Sequence, residues 1–197
     1  MAALEIILAS ASPRRAVLLE QIGLHFRMHP SVLGDGGEVP RPDEGGVAYV
    51  RRLALAKAQD VATRLRTGLV IGADTVVTCQ GRLFGKPRDD EEALAFLLAL
   101  AGRTHQVITG IALVDVETKR EEVETEVTDV TMRPFDAREA ASYVATGEPM
   151  DKAGAYGIQG RGALLVASVQ GDYFNVVGLP LTRLATLLGR FGFDPWA

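Results

Sequence analysis

The apolar positions of this chain change period along its length, and each change marks a boundary between strand and helix. Leu4 to Ala9 is a short unbroken apolar run, as in a buried strand, and Pro13 to Ile22 has helical spacing closed by Gly23. Leu24 to Met28 alternates, which predicts a second strand with His25 and His29 on its exposed side. Ser31 to Gly46 has no period and is rich in Gly, Pro and acids, so a long exposed loop is expected there. From Val47 to Leu65 the residues Val47, Val50, Ala54, Ala58, Val61 and Leu65 recur at helical spacing, and Lys57 falls on the same stripe. Leu69 to Ala73 is apolar on both faces, and this strand is expected to end at Ala73-Asp74-Thr75. Val76 to Phe84 predicts a hairpin turning at Gln80-Gly81, followed by the loop Gly85-Lys86-Pro87.

A third helix starts with Asp89 as N-cap and Glu92 as its capping-box partner, and stops near Gly102. His105 to Asp115 and Glu121 to Arg133 predict two longer strands, with Val107, Thr109, Ile111 and Leu113 alternating in the first. Asp136 and Glu139 open another helix that Gly147 ends, and residues 147–162 form a glycine-rich irregular stretch. Ala163 to Gln170 returns as a strand, Gly171-Asp172 turns the chain, and Tyr173 to Val177 is expected to pair back as a strand. Pro180 opens a final helix through Leu188. Strands alternate with helices early and pair as hairpins late, so the expected fold is a single α/β domain with a mixed central sheet flanked by helices.

Composition narrows the possible partners. The chain has 197 residues, 47% of them hydrophobic, which is enough for a sizeable core, and a formal net charge of -4. That balance speaks against nucleic acid as a partner, since backbone binding needs clustered surplus Lys and Arg. No basic segment precedes the first apolar run, which is too short for a leader or a membrane span, so a soluble chain without membrane partners is expected. The single Cys79 allows no internal disulfide and suits a reducing cytoplasm.

Several stretches then carry candidate chemistry. Ser10-Ala11-Ser12-Pro13-Arg14-Arg15 joins a strand to a helix and puts two hydroxyls and two guanidiniums at a helix N-terminus, which suits a phosphate or carboxylate as well as it suits an ordinary capped helix. Lys57 on an apolar stripe must either snorkel to solvent or meet an anion. Asp74 and Thr75 follow a buried strand, where α/β sheets place ligands, although a turn-forming Asp reads the same way. Lys86 is a candidate phosphate-reaching cation, Glu38 a loop carboxylate able to ligate a hard metal, and Asp151, Lys152 and Gln159 are polar groups beside small neighbours that admit a flat ligand. His25 and His29 lack a zinc pattern, no P-loop or dinucleotide fingerprint is present, no G-x-S-x-G occurs, and Cys79 has no basic partner nearby in sequence. The remaining cations suit phosphates and the acids suit a divalent metal, a set matched to metal-assisted phosphoanhydride hydrolysis.

Five segments, Ser10-Ala-Ser-Pro-Arg-Arg15, Arg52-Leu-Ala-Leu-Ala-Lys57-Ala, Gly72-Ala-Asp-Thr75, Gly85-Lys-Pro87 and the run from Gly147 to Gly160, together resemble the Maf family of nucleoside triphosphate pyrophosphatases. The resemblance implies an inosine triphosphate pyrophosphatase-like fold with an active-site cleft between two lobes, and hydrolysis of a nucleoside triphosphate to monophosphate and pyrophosphate with a divalent cation such as Mg²⁺ or Mn²⁺. It implies that Ser10, Ser12, Arg14, Arg15, Lys57, Thr75 and Lys86 contact the substrate, with Lys86 also catalytic. Glu38 and Asp74 would hold metal and activate water, Asp74 as general base. Tyr156-Gly-Ile-Gln159-Gly160 resembles the branch acting on dTTP and UTP, with Gln159 near the base. The loop from Pro30 to Pro42 is a few residues longer than the family form, which makes Asp35 a competitor of Glu38. The same resemblance allows a homodimer, and it allows a second role, a nucleotide-binding regulator of cell division without turnover.

Overall fold

A computed structural model describes residues 5–33, 40–194 and 196. Seven strands form one mixed sheet: β1 (Ile6–Leu8), β2 (Phe26–Met28), β3 (Leu69–Cys79), β4 (Arg82–Phe84), β5 (Thr104–Asp115), β6 (Glu121–Met132) and β7 (Val166–Gln170), in the order β2-β1-β3-β5-β6-β7 with β4 on β3. The helices are α1 (Pro13–Gln21), α2 (Gly46–Ala62), α3 (Asp90–Leu100), α4 (Ala137–Val144), α5 (Tyr173–Val177) and α6 (Leu181–Arg190). The chain divides into two compact units, the first drawn from Met1–Asp74, Thr109–Glu126 and Gly178–Ala197, the second from Thr75–Ile108 and Val127–Val177. Among the described residues no helix is long and apolar enough to cross a membrane.

In the first unit β1 pairs in parallel with both β2 and β3. Ile7, Ala9 and Val70 pack with Ala54, Ala58 and Val61 of α2, while Ile6, Leu8, Leu69 and Ile71 point the other way and are also buried. The strands there are covered on both faces, which is why their sequence runs apolar without alternation. Gly72 lets α2 come close: a Cβ on it would lie 2.2 Å from the Ala54 carbonyl oxygen.

In the second unit Val77, Val107, Val130 and Met132 pack with Phe96, Leu97 and Leu100 of α3, Tyr143 and Val144 of α4, and Tyr156. The other sheet face there is polar, with Thr104 and Thr131 bonded to each other at 2.9 Å and exposed Gln106 nearby on β5. The expected hairpin is present, with Cys79 opposite Arg82 and both turn residues at positive φ, Gln80 at 50° and Gly81 at 78°. Asp89 caps α3 by accepting from Glu92 N at 2.8 Å, and Asp136 caps α4 from Glu139 N at 2.9 Å. The reciprocal half of the first box goes one residue further back, since the Glu92 carboxylate takes the Arg88 N–H.

Three expectations are corrected. The strand expected to end at Ala73-Asp74-Thr75 continues to Cys79, because the β-favouring Val76-Val77-Thr78 follows and Asp74 is satisfied inside the strand. Tyr173–Val177 is helical, since the Asp172 carboxylate accepts from Phe174 N at 2.7 Å and Asn175 N at 3.2 Å, an N-terminal turn that a count of β-branched residues cannot reveal. The alternation expected in β5 is replaced by unbroken burial from Val107 to Val114.

Candidate active site

Parallel pairing sets Leu8 opposite Ile71, and Ala9 N still donates to Ile71 O at 2.8 Å, so Ser10 comes level with Ala73, one residue before Asp74. Neighbouring strands lie about 4.8 Å apart. The Ser10–Arg15 segment, which follows β1, and the candidate acid on β3 thus lie side by side. Ser10 is buried, and its hydroxyl oxygen accepts from Ser12 N and from Arg15 Nη1, both at 3.1 Å. Arg15 is buried too, and its Nε donates to the Gly178 carbonyl at 2.8 Å. Arg15 is therefore the inward member of the pair, tying the start of α1 to Ser10 and to the segment before α6. Arg14 and Ser12 are half-buried. Ser12 occupies the N-cap position, but its hydroxyl makes no cap bond.

Lys57 is 2% exposed, and its Nζ donates to Asp74 Oδ1 at 2.7 Å. The lysine on the apolar stripe meets an anion instead of snorkelling, and it meets it through the close approach at Gly72: Val70, Gly72 and Asp74 share the strand face that α2 covers. A buried ion pair of this kind orients the carboxylate, and removing one of its charges is costly.

A second ion pair was not legible in the sequence. Arg52 Nε and Nη2 donate to the two oxygens of Glu44, both at 2.7 Å, and Arg41 N donates to Glu44 Oε2 at 3.0 Å. The Arg52 side chain holds the Glu44 carboxyl down at about 2. This pair fixes the chain as it returns from the loop into α2. Eight residues separate its members across a helix start, a distance that no periodic rule flags.

In the second unit, Thr75 follows Asp74 within β3, and Lys86 is half-buried in a loop whose Gly85 carbonyl accepts from Gly154 N at 3.0 Å. Gln159 is exposed on the glycine-rich segment, which folds as three 3-10 turns, Glu148–Asp151, Ala153–Ala155 and Gly160–Leu165. Asp35 and Glu38 lie outside the described residues. Among the described residues no cluster of three or more His, Cys, Asp or Glu is arranged for a metal. His25 and His29 flank β2 and are exposed and half-buried.

A serine and arginines at a helix start, beside a lysine-bound carboxylate on the neighbouring strand of a mixed sheet, are groups with which an α/β protein can handle an anion. The chain belongs to the family of Maf-like proteins, whose sequence profile matches residues 5–191. It is 52% identical over 192 residues to a dTTP/UTP pyrophosphatase of Moorella thermoacetica, covering 98% of this chain and 97% of that one. A protein of the same name from Dictyoglomus turgidum is 51% identical over 193 residues, covering 96% of this chain and 97% of its own. Among solved structures, the Staphylococcus aureus Ham1 protein matches with a TM-score of 0.45 and 17% identity over 65% of this chain and 71% of that one.

Proposed function

We propose that this chain is a nucleoside triphosphate pyrophosphatase that hydrolyses dTTP and UTP to the monophosphate and pyrophosphate. The buried Lys57–Asp74 pair, beside the Ser10–Arg15 segment, is the observation that carries the reading. Water attacks the α-phosphorus, a new P–O bond forms, the bond to the α–β bridging oxygen breaks, and pyrophosphate departs with that oxygen. Asp74 takes the proton of the attacking water, oriented by Lys57. Ser10, Ser12, Arg14, Arg15, Thr75 and Lys86 are the side chains assigned to the phosphates. Gln159 meets the pyrimidine edge through its amide.

Full-length identity near one half to relatives named dTTP/UTP pyrophosphatase supports the substrate pair. Asp74 and a loop carboxylate, Glu38 or Asp35, would hold a hard divalent cation together with the substrate's phosphates. When bound, such a cation neutralises phosphate charge in the transition state. The reading places the protein in the cytoplasm, with nucleic acid no partner and a homodimer the assembly to check by sedimentation.

A panel of nucleoside triphosphates with Mg²⁺ or Mn²⁺ tests the assignment. Pyrophosphate with dTMP or UMP is the expected result, and tight binding without products would replace the enzyme by a nucleotide-responsive regulator. Gln or Asn at Glu38 and Asp35 separates the two loop acids: Glu38→Gln is expected to lose turnover and Asp35→Asn to keep it.

A further inference from the structure

The loop that carries Gln159 is held at both ends by two side chains from outside it. Glu148 Oε1 accepts from Gly162 N at 3.0 Å and from the Tyr143 hydroxyl at 2.9 Å, and Glu148 Oε2 accepts from Arg161 N at 3.0 Å. The Tyr143 oxygen in turn accepts from Gly157 N at 3.1 Å. Three loop amides therefore end on one carboxylate and one phenol, and Ile158, Gln159 and Gly160 span the gap between the pinned points. The packing at the base of the loop leaves no room for a side chain: a Cβ on Gly162 would lie 2.3 Å from the Gly157 carbonyl oxygen and 2.6 Å from the Tyr143 hydroxyl. Lys152 Nζ donates to the Glu148 carbonyl at 2.6 Å, which fixes the anchor's own backbone.

Burial pushes the Glu148 carboxyl up, but hydrogen bonds from Gly162, Arg161 and Tyr143 outweigh it and hold the group below the usual carboxylate range. A glycine-rich loop without such an anchor would sample many backbone states, and a ligand would have to select one of them. Gln159 is exposed at the centre of the span, so the anchor fixes the backbone while leaving the amide side chain available.

We propose that Glu148 and Tyr143 are positioning residues for base selection, holding the 157–162 loop so that the Gln159 amide meets one base geometry. The proposal rests on the reading that Gln159 contacts the base. Preorganised polar groups discriminate because a wrong base leaves them unpaired, and a loosened loop lets the amide follow the wrong base.

The test uses Glu148→Gln and Tyr143→Phe in the full chain, with kcat and KM for dTTP, UTP, CTP and GTP and inhibition by inorganic pyrophosphate. Glu148→Gln turns an acceptor into a donor against a backbone N–H, and Tyr143→Phe keeps the ring packing and removes only the hydroxyl, so it carries the test should the first variant not fold. The preference for dTTP over GTP in kcat/KM is expected to fall about tenfold, through KM, with kcat changed by less than about twofold. Inhibition by pyrophosphate, which has no base, should not change. An unaltered preference in both variants overturns the proposal, and so does equal weakening of nucleotide and pyrophosphate, which marks general structural damage. Wild-type protein that releases no pyrophosphate overturns the underlying activity instead. Turnover with a preference that Gln159→Ala leaves intact overturns the Gln159 premise and the proposal with it, while the activity stands.

Discussion

Lys57 stands where an amphipathic helix calls for an apolar side chain, and Asp74 stands in a strand buried on both faces. Each position is costly by itself, and each is explained by the other at 2.7 Å. Asp74→Asn is expected to lower kcat about 10²- to 10⁴-fold while nucleotide still binds, because the general base is removed and the phosphate contacts stay. It should also destabilise the fold by about 3 kcal/mol in urea melts, since it removes one charge of a buried, hydrogen-bonded ion pair. Lys57→Met with Asp74→Leu should recover most of that stability and none of the activity. A second residue-scale prediction concerns His105, whose Nε2 shares a 2.7 Å hydrogen bond with the Tyr156 hydroxyl and whose buried Nδ1 has no hydrogen-bond partner among the described residues. Burial lowers its pKa from 6.5 to about 4, so between those values the unfolded chain binds a proton that the folded one refuses. Stability is then unaffected above pH 6.5 and falls as the pH drops from 6.5 towards 4. Between pH 7 and 5, wild-type protein should lose about 2 kcal/mol more than His105→Gln in urea unfolding. The sequence exposed Lys57 as an anomaly because one charge broke an apolar stripe; it did not expose the Glu44–Arg52 and Glu148–Tyr143 pairs, eight and five residues apart, spacings to which no periodic rule points.

Helix starts were legible where an acid sits three residues before a backbone N–H that it can cap, as at Asp89 and Asp136. Strand ends were not, because β3 passes through Asp74 without interruption, and only the tertiary partner at Lys57 makes that tolerable. The same limit hid α5, where Tyr173–Val177 has strand-like residues but Asp172 caps a helical turn. Asn175 then locks that helix to the sheet, its buried Nδ2 donating to Val107 O and Thr128 Oγ1, both at 2.9 Å. Asn175→Ala is expected to cost about 2 kcal/mol, since it leaves a buried carbonyl and hydroxyl short of a donor, and the loss should appear as a lower urea midpoint with an unchanged slope.

At the scale of the chain, each unit has its own core, and β3, β5 and β6 each have residues in both. The hydrophobic pattern records the change: β5 alternates over Thr104, His105 and Gln106, then stays buried to Val114. A one-face cover explains the first part and a two-face cover the second. The mixed α/β class was therefore legible in the sequence, and the family resemblance implied two lobes, whereas the segments that make up each unit were not legible, since each is assembled from stretches far apart in the chain. In the proposed reaction water attacks the α-phosphorus of dTTP and releases pyrophosphate. Hydrolysis of dTTP in ¹⁸O-labelled water, followed by mass analysis of the products, tests it most directly. One label in dTMP and none in pyrophosphate is the expected result; label in pyrophosphate, or release of labelled orthophosphate, would rule out attack at the α-phosphorus.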